Sequence, residues 1–173
     1  YWKALLEANL AIARLRSGER ENGAAIAANL AQLEQNREGW ILVRSLDALA
    51  EISLARGAVD RSIAFADRLL ALGQAGNMRE QIATAHRWRG AALTAQGANA
   101  PAAAELAQAG ALARTLGRSR LEWDIHRAFA QLHQHTKDTA AATLHEQSAD
   151  AIRAQITADL RGSALRFAAA ESR

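Results

Sequence analysis

The sequence contains no cysteine, which excludes disulfides, thiolate nucleophiles and thiolate metal sites. Its single proline, Pro101, leaves almost nothing to interrupt a helix. Aromatic residues make up 5%, and valine occurs only at Val43 and Val59, too little β-branched and aromatic material to build strands. Lysine is confined to Lys3 and Lys137, so the formal charge of +3 rests on arginines scattered among carboxylates. Nucleic-acid readers concentrate such residues in a stripe, and none is visible. No apolar run reaches the roughly 18 residues a membrane span requires, and no signal peptide is seen. These absences set the expectations: no direct nucleic acid, no membrane, a cytoplasmic location. Tyr1 is not a methionine, which points to a piece of a longer chain.

What is abundant is alanine, 44 of 173 residues. Alanine is the best helix former and the smallest side chain that still packs, so the composition calls for closely packed helices. The fold class expected is all-α.

The chain also repeats itself. Leu49-Ala-Glu-Ile-Ser-Leu-Ala-Arg-Gly57 and Trp88-Arg-Gly-Ala-Ala-Leu-Thr-Ala-Gln-Gly97 are each the end of a helix closed by glycine, about 40 residues apart. A fixed period of this size marks stacked helical hairpins. The hairpins are expected at about 1–36, 39–73, 77–117 and 119–160, with a capping segment over 161–173 that holds Leu165 and Phe167 and folds back on the last hairpin. The first helix, to about Arg16, is apolar on more than one side, as if an upstream repeat belonged against it. A second helix is expected over about Glu21–Gln35. Asn77 with Glu80, and Ser119 with Glu122, have capping-box spacing. Pro101 suits a first helical turn, and Asp138 suits a cap on the last helix.

At these residues the chain resembles a tetratricopeptide-type array. In that repeat a small residue sits mid-way along the first helix, a Gly or Asp at the turn, and small residues open the second helix. Ala50, Gly90 and Ala130 match the first feature and Gly57 and Gly97 the second; Ser62, Ala102 and Ala142 match the third. The period departs from the usual value of about 34, Lys137 replaces a turn glycine, and Arg89 stands where an apolar residue is usual. The narrower resemblance is to the C-terminal repeats of large bacterial signal-transduction ATPases, often joined to nucleotide-cyclase or DNA-binding domains. It is carried by the two phrases above, by Trp123-x-x-His126-x-Ala128-x-Ala130-x-Leu132, and by Leu160-Arg161 with Phe167. The resemblance implies a right-handed superhelix of about four hairpins serving as a regulatory or partner-binding tail, with the ATPase upstream.

Nothing in the sequence announces catalysis. There is no Gly-Lys-Ser/Thr phosphate loop and no Gly-x-Ser-x-Gly elbow. His126 and His133 share a helix face with Glu122, but zinc needs three or four convergent ligands. His86 and His126 occupy equivalent repeat positions, which argues for a role where the helices cross. Asp47 and Glu51, one turn apart, read as a solvated face rather than an acid and a base. No enzyme activity, cofactor or metal is expected.

Counting from the crossing residues Ala50, Gly90 and Ala130, the residues six before, three before and one after point into a groove lined by the first helices. These are Arg44, Asp47 and Glu51, then Thr84, Arg87 and Ala91, then Asp124, Arg127 and Gln131. Arg87 and Arg127 are equivalent, and two guanidinium forks could hold the carboxylates of an acidic peptide. The competing reading is that they pair with Asp47, Glu51 and Asp124. The function expected is a non-catalytic interaction or regulatory module. It would bind a protein, a peptide or upstream domains of its own chain. The alternative is a repeat domain that associates with itself.

Overall fold

The computed structural model describes residues 2–19, 24–28 and 39–171. Seven helices carry them: α1 (Trp2–Arg16), α2 (Gly39–Ala55), α3 (Val59–Ala75), α4 (Arg79–Ala95), α5 (Asn99–Leu116), α6 (Ser119–His135) and α7 (Thr139–Glu171). Residues 24–28 are helical as well, and the described residues include no strand. The fold is all-α. The rest of the helix expected over Glu21–Gln35 lies outside the described residues.

From α2 onward the helices start at residues 39, 59, 79, 99, 119 and 139, a beat of 20 that divides the 40-residue echo in two. The reason is a turn of one kind. Gly57, Asn77, Gly97, Gly117 and Lys137 all take positive φ. At each, the left-handed residue donates its N–H to the carbonyl three residues back, and the next residue donates to the carbonyl five back. Examples are Gly57 to Leu54 with Ala58 to Ser53, both 2.9 Å, and Lys137 to Gln134 at 3.1 Å with Asp138 to His133 at 2.9 Å. This is the Schellman closure, which satisfies two otherwise orphaned carbonyls. Gly18 makes the same turn 39 residues before Gly57. Lys137 therefore breaks the glycine pattern but not the geometry, at a cost of roughly 1–2 kcal/mol for a left-handed residue with a Cβ.

The same turns overturn the two capping boxes. Asn77 is the left-handed residue of its turn (φ 50°), and α4 is entered through Met78, which makes no side-chain cap. Likewise Arg118 leads into α6 without a side-chain cap, and Ser119 is already helical. Asp138 does cap: its Oδ1 accepts the Ala141 N–H at 3.0 Å. Pro101 lies in the first turn of α5. A further correction concerns the C-terminus. No turn follows Leu160, and α7 continues to Glu171, because 160–171 holds nothing stronger than Gly162 to stop it. The side chains of Leu165 and Phe167 lie outside the described residues.

Each helix packs on its neighbours in sequence, and α1 packs on α2. In addition α2 touches α4 and α4 touches α6, whereas α3, α5 and α7 make no such contacts with one another. The helices thus form two rows, one in mutual contact and one spread apart. Between the rows the crossings are made by small residues. Ala50 is fully buried and clusters with Ala66, and its carbonyl accepts the Ser62 hydroxyl at 2.9 Å. At the next crossing, a Cβ on Gly90 would lie 2.6 Å from Cγ of the fully buried Leu106, so only glycine fits. Ala130 is also buried, and so are Ser62, Ala102 and Ala142 on the opposing helices. Ala8, Ala11 and Ile12 of α1 join Ile26 and Ile41 in the first core cluster. On the same helix Leu6 and Leu10 are exposed.

Candidate functional site

Because α2, α4 and α6 lie side by side, the residues at equivalent positions on them line one depression. It consists of two adjoining hollows of about 650 and 540 Å³. Both are bordered by Arg16, Glu51, Arg87, Arg120 and Asp124. Arg44, Asp47 and Thr84 lie in the smaller hollow, and Ala91, Arg127 and Gln131 in the larger. The structure thus brings every groove residue named from the sequence to this one surface.

The charges inside are largely matched. Arg16 reaches across from α1 to grip Glu51 with both faces of its fork, at 2.9 and 3.0 Å. These bonds raise the Arg16 guanidinium above its ordinary range, against the opposing effect of burial, with the nearby Asp124 and Asp47 carboxylates adding to the rise. Asp47 accepts the Trp88 indole N–H at 2.7 Å and Arg44 at 2.8 Å, and Arg87 stands 3.8 Å away. Arg120 lies 3.6 Å from Asp124, and Arg118 lies 3.1 Å from Glu80. With both carboxylates held by donors, Asp47 and Glu51 have the character of positioned anchors.

Arg87 and Arg127 share a repeat position but differ in depth. Arg87 is only 12% exposed, lies 3.6 Å over the Trp88 ring, and keeps its Nε buried without a hydrogen-bond partner. Arg127 is exposed. It lies 5.0 Å from the Trp123 ring centroid, while Arg120 covers the same ring at 4.4 Å. No described carboxylate pairs with it. The two forks are thus not equivalent: one is built into the wall and one is presented to solvent. Sequence reasoning missed Arg16, Arg120 and the two tryptophans. The signal was present in Arg120-x-x-Trp123-x-x-x-Arg127, because residues three before and four after a helical tryptophan lie beside it.

His135 borders the larger hollow, whereas His86 on α4 and His126 and His133 on α6 meet side chains of the other row. His86 sets Nδ1 2.6 Å from the Glu105 carboxylate, which Arg89 also approaches at 3.2 Å. Forty residues on, His126 faces His145 across α6 and α7, Nδ1 to Nδ1 at 2.9 Å. Phe129 and His133 stack on the His145 ring at 4.8 and 5.4 Å. Burial pushes the His126 imidazole below its ordinary range, with Arg114 adding to the push and Glu122 opposing it. Burial likewise lowers His145, helped by the charges of His126 and His133. Among the described residues no three His, Asp or Glu side chains converge as metal ligands. No helix there is long and apolar enough to cross a membrane.

Compared with protein-family models, with curated proteins and with solved structures, the chain matches none.

Proposed function

We propose that this chain is a non-catalytic interaction module, a tetratricopeptide-like right-handed superhelix of about four hairpins that binds a protein or peptide in its concave groove. The observation that carries the reading is the row of α2, α4 and α6, which presents equivalent positions to one depression made of two hollows of about 650 and 540 Å³. Inner helices in contact and outer helices spread apart are the arrangement that curves a stack of hairpins. Such a module serves as the regulatory tail of a larger cytoplasmic signalling ATPase, with the partner either a separate protein or another domain of the same chain.

A peptide-display selection tests it. Ala91 lies in the larger hollow, so Ala91→Trp fills the groove from within. Peptides selected on the unaltered chain should lose binding to that variant while its helicity by circular dichroism is retained. Selected peptides that bind both forms equally would contradict the groove as the interaction site.

The exposure of Leu6 and Leu10 on α1 favours a second reading, association of the repeats with themselves. It predicts a concentration-dependent oligomer in light scattering that Leu6→Glu with Leu10→Glu disperses. A monomer at every concentration removes it.

A further inference from the structure

We infer that the groove takes an extended acidic peptide whose carboxylates alternate with leucine-like side chains, with Arg127 as the arginine that reads the carboxylate. This rests on the interaction reading above and gives it a ligand class. Across the two hollows six arginines meet four carboxylates, an excess of two positive charges. The excess can be located. Arg44 and Arg87 share Asp47, and Arg127 has no described carboxylate within 4 Å, though Glu146 and Asp150 border a third hollow beside it, whereas Arg16, Arg118 and Arg120 each have their own.

Arg87 is held under its contact with Trp88, so its charge acts through the field of the wall. Arg127 is the accessible one. Its guanidinium lies near the face of Trp123, leaving N–H edges free for a bidentate carboxylate. Beside it the larger hollow has an apolar floor of Leu15, Leu54, Ala91 and Ala95, and the alanines leave room for a branched side chain. A continuous polyanion is disfavoured, because Glu51, Glu80 and Asp124 interrupt the positive surface. Spaced carboxylates with apolar side chains between them match both features.

The probe is a short fluorescein-labelled peptide of alternating glutamate and leucine, titrated onto the full chain by anisotropy at two salt concentrations. Binding should weaken with salt. It should fall about 10-fold or more when glutamine replaces glutamate in the peptide, or when Arg127→Gln is made, since a hydrogen-bonded charge pair is lost. Arg61→Gln, on the exposed side of α3, should change nothing. The inference is overturned by absence of binding, by equal affinity for the glutamate and glutamine peptides, or by tighter binding of mixed-sequence duplex DNA. Display-selected peptides that need an open groove but carry no carboxylate overturn it while leaving the interaction site standing. If no peptide is sensitive to Ala91→Trp, the interaction reading itself is lost.

Discussion

At the α4/α5 crossing His86 meets a carboxylate and Gly90 receives Leu106; at the α6/α7 crossing, forty residues on, His126 meets His145 and alanine stands at 130. The α2/α3 crossing differs again, with Ala50 against Ala66 where the next has Gly90 against Leu106. Volume removed from one helix is thus restored on the other. The two histidine positions likewise keep their place but not their chemistry. His86 stands 2.6 Å from the Glu105 carboxylate. A proton arriving on His126 finds a second imidazole at 2.9 Å, and the His133 ring lies 5.4 Å from His145. Burial already lowers both His126 and His145, so the α6/α7 crossing disfavours an added charge.

That contrast can be broken by substitution. Leu106→Ala, at a fully buried position, should cost about 2–5 kcal/mol in urea unfolding. Gly90→Ala should cost about 1–2 kcal/mol, because overpacking of roughly 1–3 kcal/mol exceeds the gain in helix propensity of about 1 kcal/mol. In the Leu106→Ala background the same change recreates the Ala50/Ala66 arrangement and should become stabilising by roughly 1 kcal/mol. If its sign does not reverse, the Gly90–Leu106 contact does not set the crossing. Gly110 is the control within α5, since an added Cβ there meets only Arg114 at 3.4 Å and Ile125 at 3.8 Å. Gly110→Ala should therefore stabilise by about 0.5–1 kcal/mol.

The smallest effect concerns pH, because both imidazoles keep partial contact with solvent. His126 and His145 are lowered in the folded state, so the unfolded chain binds protons more readily. Their contribution is complete above the unfolded value of about 6.5 and is lost as pH falls through the lower folded value. Amide hydrogen exchange should show α7 losing protection relative to α5 on acidification. Equal loss along both helices would erase the distinction between the crossings.

Much of the scaffold was legible because backbone geometry selects residue types strongly in places. Gly57 and Gly97 mark a left-handed turn, and Ala50, Gly90 and Ala130 mark close crossings. From that register the directions of Arg44, Asp47 and Thr84 followed. The 20-residue beat was hidden because the left-handed position tolerates asparagine and even lysine for a small cost. Asn77 misled for a related reason: asparagine suits both a helix cap and a left-handed turn, and spacing to Glu80 does not separate them. Arg87 and Arg127 looked alike because period gives direction but not depth. Their tryptophans sit one residue after and four residues before them, and only Arg87 has an Asp47 within reach.

The groove claim is tested most directly by the indole N–H resonances of the four tryptophans, followed while the glutamate–leucine peptide is titrated in. Trp88 and Trp123 line the larger hollow, and Trp40 lines neither hollow. The prediction is that the signals of Trp88 and Trp123 shift together and saturate while that of Trp40 stays in place. A saturating shift confined to Trp40, or none at any tryptophan, would contradict a binding site on this surface.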